Sequence, residues 1–343
     1  MNNTKYIYIA LFFLAAFISL IFYTQIQASP LNLEKSTHEL KTLLLEKSFS
    51  NSEAIQPISE NSNIDMQKVL LGKKLFNDPK LSNDSSVSCA SCHNLTLGGA
   101  DQKALSLGAN HHLTHLNTPT IFNAVYNFNF FWDGRTANFT EQINNSLFAE
   151  DQMGNTDWNK LLNYLNNSKE YLLLFKNQYN LPIESHDLLD ALSEYSQSLI
   201  TPNSRFDLYL KGDNFALNTY ELEGYRLFKT IGCISCHQGI NMGGNMFQKI
   251  GLFNNLSNQT DPKIDGNFDV IDTPTDKIVY KVPTLRNIAL TAPYFHDGST
   301  KTLEAAVAKM AKLQLGTELS TEDVNKITAF LNSLTGEYHG QPL

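Results

Sequence analysis

Two pentapeptides carry all the thiol chemistry of this chain: Cys89-Ala90-Ser91-Cys92-His93 and Cys233-Ile234-Ser235-Cys236-His237. Each reads C-x-x-C-H, a spacing that lets two thiols bond the vinyl groups of one haem while the adjacent imidazole ligates its iron. The chain has four cysteines, and all four lie in these pentapeptides. Disulfides, a dithiol redox pair or a zinc site would also use thiols, but none of them asks for a histidine at the same offset in both copies. The pattern predicts two covalently attached c-type haems, one on Cys89, Cys92 and His93, the other on Cys233, Cys236 and His237.

The group facing each iron from the other side decides the chemistry. A methionine or histidine there makes a closed electron-transfer site, and methionine raises the potential. An open position admits a small molecule such as peroxide. Beyond the N-terminal apolar run the candidate methionines are Met66, Met153, Met242, Met246 and Met310. A methionine on a helix is ordinarily core filler. Trp132 has two readings, a packed aromatic or a bridge for electrons between the irons.

The elements that must position these residues come in two sets. Leu71-Gly72-Lys73-Lys74-Leu75-Phe76 matches Glu223-Gly224-Tyr225-Arg226-Leu227-Phe228, each in a helical pattern running toward its C-x-x-C-H. Pro119-Thr120 with Asn123 matches Pro283-Thr284 with Asn287. Trp132-Asp133-Gly134 matches His296-Asp297-Gly298, each thirteen residues beyond its proline. Helical periodicity recurs and strand-like alternation is rare. The expectation is an all-α chain of two tandem haem domains related by internal duplication. Met310 gains weight from this comparison, because it follows the second Asp-Gly element within the helical segment from Thr302 to Leu315.

At 343 residues with 42% hydrophobic content, the chain has room for two packed domains and is not a disordered one. A net charge of −8 argues against nucleic acid as a partner. Residues 1–28 read as a signal peptide or an N-terminal membrane anchor, with an apolar run from Tyr6 to Tyr23 and a small-residue site before Ser29. Either way the remainder is exported, which suits covalent haem attachment in the bacterial periplasm. Residues 29–63 read as a polar linker, 64–202 as the first haem domain and 203–343 as the second.

These strings together resemble the bacterial dihaem cytochrome c peroxidases, with the MauG enzymes as relatives. The resemblance covers about Asp65 to Glu337 and rests on Leu71-Gly72-Lys73, the first haem motif, Gly98-Gly99, Phe131-Trp132-Asp133-Gly134-Arg135, Val282-Pro283-Thr284-Leu285-Arg286-Asn287 and Pro293-Tyr294-Phe295-His296-Asp297-Gly298. It implies tandem cytochrome c-like domains, a peroxidatic haem on His93 and an electron-transferring haem on His237 and Met310. Trp132 matches the tryptophan between the haems, and Gln142 a distal-pocket glutamine. Asn117, Thr291 and Pro293 match positions that hold a Ca²⁺ through oxygens, as a hard cation prefers. The implied partners are hydrogen peroxide and a small cytochrome c or cupredoxin as electron donor, with a homodimer as an option. MauG-type enzymes carry a tyrosine where this chain has Met310.

The chain departs from the family pattern twice. The family's distal histidine follows Ser-x-Gly, and here Ser106-Leu107-Gly108 is followed by Ala109. The distal glutamate before Met-Gly is replaced by Gln152, before Met153-Gly154. An amide cannot move a proton between peroxide oxygens as a carboxylate can. Glu150 and Asp151 stand next door, and His111, His112 and His115 lie in a nearby loop as further candidates for ligand or base.

Overall fold

A computed structural model describes residues 53–59, 64–253 and 279–343. The export or anchor segment expected at residues 1–28, and most of the polar stretch after it, lie outside the described residues. Among the described residues no helix is long and apolar enough to cross a membrane.

A carboxylate opens the first helix. Asp65 accepts the N–H groups of Gln67 and Lys68, and α1 runs Met66–Phe76 with Val69, Leu71, Leu75 and Phe76 buried along one face. The first haem motif forms a single helical turn, α2 (Cys89–Cys92), whose Ser91 hydroxyl accepts the Ser88 N–H at 2.9 Å. After a long stretch of turns come α3 (Phe139–Phe148), α4 (Trp158–Asn167), α5 (Lys169–Lys176) and α6 (Ser185–Ser198). The second set is α7 (Arg205–Leu210), α8 (Thr219–Ile231), α9 (Leu303–Leu315) and α10 (Thr321–Asn332).

The two largest helix pairings are α1 on α6 and α8 on α10. A glycine brings the backbones together in each. A Cβ on Gly72 would collide with the Ala191 carbonyl of α6, and one on Gly224 with the Lys326 carbonyl of α10. The two glycines occupy matching places in the repeated hexapeptides. Two hydrophobic clusters follow, one drawn from Val69 to Leu199 and the other from Phe206 to Leu334 with Ile55 added. Phe206, Tyr225 and Phe330 pack ring to ring at the centre of the second. Residues Ala54 to Leu343 form one compact unit.

Matched sequence segments have matched backbones. Asn123 and Asn287 both adopt left-handed φ values, 61° and 60°, and each opens a short 3₁₀ turn. Their side-chain amides converge on one hydroxyl, Asn123 Nδ2 donating to Thr201 Oγ1 at 2.7 Å and Asn287 Nδ2 at 2.9 Å. Phe130 bridges Thr136 as Tyr294 bridges Thr300.

The chain is helix-rich, as expected of an all-α reading, with a small β component. Among the described residues the strands are β1 (Phe247–Lys249) paired antiparallel with β2 (Val279–Lys281), and β3 (Glu337–Tyr338) with β4 (Gln341–Pro342). Strands of two or three residues are too short to show an alternation, so periodicity could not announce them. The end of the stretch read as a linker is packed. Ile55 and Ile58 are buried, Ile58 N–H donates to Asp207 Oδ1 at 3.0 Å, and the Gln56 carbonyl accepts from Arg286 Nη2 at 2.9 Å.

Candidate active site

Both C-x-x-C-H motifs turn the same way. The His93 N–H donates to the Cys89 carbonyl at 2.9 Å, and the His237 N–H to the Cys233 carbonyl at 3.0 Å. Each thus folds its histidine back beside its two thiols. Each imidazole is then fixed by a carbonyl: Nδ1 of His93 lies 3.2 Å from the Gly99 oxygen, and Nδ1 of His237 lies 3.2 Å from the Met242 oxygen. A carbonyl only accepts, so Nδ1 carries the proton and Nε2 keeps its lone pair for a metal. Burial lowers the pKa of both rings, that of His237 to about 4, which favours the neutral form a ligand requires. Burial likewise pushes the Cys89 thiol up to about 12 and the Cys233 thiol up to about 11. All four cysteines are free of disulfides.

Both motifs open onto one cavity of about 910 Å³. That is near the upper end of the range, roughly 300–1,000 Å³, seen for small-molecule and cofactor sites. Its walls are largely apolar and include Cys89, Cys92, His93, Cys233, Cys236 and His237. Paired thiols, a neutral imidazole presenting Nε2 and a large apolar enclosure fit a c-type haem at each motif.

The structure sorts the methionines. Met66 is 59% exposed, and Met242 is buried behind His237 in the second core cluster. Met242 and Met246 are absent from the cavity wall, whereas Met153 and Met310 reach it. Met153 belongs to the first core cluster. Met310 stands on α9 in the row Leu303, Ala306, Val307, Met310, Gln314, all of which line the cavity at helical spacing.

The N-terminal half supplies polar groups to the same cavity. Gln142, on α3, lines it and donates from Nε2 to Ser146 Oγ at 2.9 Å. Asp151 and Gln152 line it too, while the side chain of Glu150 is 86% exposed and lies 3.7 Å from His112. Asp151 Oδ2 accepts the His115 N–H at 3.1 Å. Of the three loop histidines His115 reaches the cavity, and His111 and His112 do not. Ala109 is fully buried, its N–H on the Gln152 carbonyl at 2.7 Å, and is not part of the wall.

Trp132 is pinned by residues from across the fold. Its Nε1 donates to the Asn117 carbonyl at 2.8 Å, and its own carbonyl accepts the Lys281 N–H at 2.8 Å. The ring meets His296 edge to face with centroids 6.4 Å apart, and His296 in turn stacks on Tyr280 at 4.5 Å.

Asn117, Thr291 and Pro293 all border this cavity. Asn117 Nδ2 donates to the Lys103 and Ala104 carbonyls, which turns Oδ1 away from those partners. Among the described residues no backbone N–H donates to the Thr291 or Pro293 carbonyl. Three uncommitted oxygens suit a hard cation.

Residues 66–215 match the family model of the di-haem cytochrome c peroxidases. The chain is 40% identical to cytochrome c551 peroxidase of Nitrosomonas europaea, over 83% of this chain and 85% of that protein. It belongs to the di-haem cytochrome c peroxidase family. It is also 41% identical to cytochrome c peroxidase Ccp of Escherichia coli over 84% of this chain, but spans only 62% of that longer relative. In structure it is similar to a MauG-like protein associated with microbial copper homeostasis, with a TM-score of 0.69 and 26% identity over 82% of this chain and 93% of that one. Membership of a di-haem family agrees with two sites that each suit a c-type haem.

Sequence reasoning did not single out Lys281 or Tyr280, which also line the cavity. A lysine ordinarily stands in solvent, and nothing in the spacing of Lys281 marks it as an inward-facing one.

Proposed function

We propose that this member of the di-haem peroxidase family reduces hydrogen peroxide to water in the periplasm, taking electrons from a small cytochrome c or a cupredoxin. The observation that carries the reading is an asymmetric shared cavity. The His237 side brings a thioether, Met310, on the open face of α9, while the His93 side brings amide and carboxylate groups. The repeated backbone at Asn123 and Asn287 supports tandem haem domains meeting near Thr201.

When bound, the haems supply one-electron redox chemistry and a coordination position for peroxide. The chain's own residues do the rest. His93 and His237 would hold the haem irons through neutral Nε2 atoms, and Met310 Sδ would be a further ligand at the second. The overall change, H₂O₂ plus two protons and two electrons giving two waters, needs a base that moves a proton from one peroxide oxygen to the other. Asp151 fills that role: it lines the cavity, and its carboxylate is fixed by the His115 N–H on Oδ2. Gln142 and Gln152 orient peroxide through their amides. Trp132 is the residue of the first half seated against β2 and His296 of the second, which suits it to couple the two sites. Asn117, Thr291 and Pro293 would hold a Ca²⁺ through their oxygens and so steady the loop carrying the Trp132 acceptor.

The test is peroxide turnover by the haem-loaded protein with a reduced cytochrome c, with and without prior reduction. Turnover indistinguishable from that of free haem would overturn the proposal. With alanine at 109, the His93 iron is expected to be five-coordinate or water-ligated even when oxidised. Purely low-spin spectra of the oxidised protein would contradict that. The amide at Gln152 favours a second reading, a dihaem electron carrier or redox sensor, which predicts reversible reduction without turnover. A MauG-like oxidation of a protein substrate is disfavoured by Met310.

A further inference from the structure

Among the described residues, the cavity wall contains a cation without a partner. Lys281 ends β2, is 8% exposed, and among the described residues its ammonium forms no hydrogen bond or ion pair. Asp133, beside the Trp132 whose carbonyl takes the Lys281 N–H, is itself engaged by Arg135 Nη1 at 2.7 Å. Burial alone, with no opposing carboxylate, lowers the Lys281 pKa to about 8. An unpaired ammonium out of bulk water is unfavourable unless an anion meets it. Lysine is among the residues least often buried without one.

The position of Lys281 names the anion. Its N–H is tied to the Trp132 carbonyl at 2.8 Å. Its cross-strand partner is Phe247; on the opposite face of the same ladder Gln248, paired with Tyr280, donates from Nε2 toward Cys236 Sγ at 3.7 Å. Lys281 therefore sits on the two-stranded element that abuts the second haem motif, at the point where that element touches Trp132. The anionic groups a c-type haem brings into a cavity are its two propionate carboxylates.

We propose that Lys281 is the cationic partner of a propionate of the haem attached to Cys233 and Cys236, and so sets the potential of that haem. The inference rests on haem occupancy and is independent of whether the protein turns over peroxide. Pairing a propionate with a buried ammonium removes negative charge next to the iron, which favours the reduced form. Replacing the ammonium by a neutral chain of similar length restores that charge.

The test is a spectroelectrochemical titration of both haems in the holoprotein, comparing wild type with Lys281→Met and Lys281→Arg at equal haem content. In Lys281→Met the potential of the Met310-side haem should fall, with a reduction equilibrium about tenfold less favourable, equivalent to about 59 mV for a one-electron couple. Lys281→Arg should keep the wild-type potential. Unchanged potentials in a fully haem-loaded Lys281→Met protein would overturn the proposal, and so would a shift confined to the His93 haem. If Lys281 instead holds a free anion, the wild-type potential will depend on added phosphate while that of Lys281→Met does not, which also overturns it. Should Lys281→Met fail to load haem, Lys281→Gln provides the neutral variant, with the same outcomes.

Discussion

The Trp132 indole meets the His296 imidazole edge to face, with centroids 6.4 Å apart. These residues occupy equivalent places in the two sequence repeats, so the folded chain sets the two copies of one position against each other. Asn117 links them further: its carbonyl accepts Trp132 Nε1–H, and its N–H donates to the His296 carbonyl at 2.7 Å. Trp132→Phe keeps the aromatic contact but leaves the Asn117 carbonyl without its donor. We expect slower turnover with a reduced cytochrome donor, at unchanged haem content and unchanged peroxide-induced spectral change in prereduced protein. Stopped-flow measurement of the two phases separates these outcomes.

Three adjacent acidic or amide side chains differ in what they face. Asp151→Asn should slow the reaction of the enzyme with peroxide by roughly 10²–10⁴-fold, the usual range for a lost general base. Glu150→Gln should leave it unchanged, since that carboxylate points to solvent. Gln152→Glu should restore the rate when combined with Asp151→Asn. Rates of peroxide-induced absorbance change check all three, and an unimpaired Asp151→Asn variant would remove Asp151 from the mechanism.

Met310→His should lower the potential of the second haem, because imidazole favours the oxidised iron more than a thioether does. Met153→Leu should leave the spectrum as it is, because Met153 belongs to a packed core. Loss of the thioether-to-iron absorption band in Met153→Leu, rather than in Met310→His, would reverse the assignment.

Arg286 and Asp207 form an ion pair with both side chains essentially out of solvent, at 2.8 Å. Together they also hold the packed segment at Gln56 and Ile58. Arg286→Met leaves the Asp207 carboxylate buried without its counter-ion, at an expected cost of about 3–5 kcal/mol. Urea unfolding measures the loss, and proteolysis near residues 54–59 should accelerate in the same variant.

Gly224→Ala places a methyl against the Lys326 carbonyl of α10. The overpacking should cost about 1–3 kcal/mol. Gly72→Ala should act similarly at the α1–α6 contact, and thermal unfolding of the two variants tests whether the paired glycines do the same work.

Much of the site was legible because covalent attachment of a cofactor leaves a local signature. Cys89, Cys92 and His93 had to be adjacent, and so did their second copy. Comparing the copies gave Met310 weight among five methionines. The amphipathic spacing of α1, α8 and α9 could be read for the same reason, since a helix repeats its facing residues every three or four positions. The acid-base group could not be read that way. Glu150, Asp151 and Gln152 are consecutive on a turn, and the backbone path of that turn, with the Ala109 N–H clamped on the Gln152 carbonyl, decides which of them meets the cavity.

The sequence by itself determined two C-x-x-C-H motifs of the kind that attaches haem, a helix-rich scaffold and a repeated plan. Tertiary structure alone decided that both motifs share one cavity, that Trp132 rests against His296, and that the ammonium of Lys281 is buried there with no carboxylate partner among the described residues. Attachment is written in neighbouring residues. These other relations join positions up to about 160 residues apart in the chain, such as Trp132 and His296. They depend on how two helical halves and a three-residue strand pair pack, which local spacing does not encode.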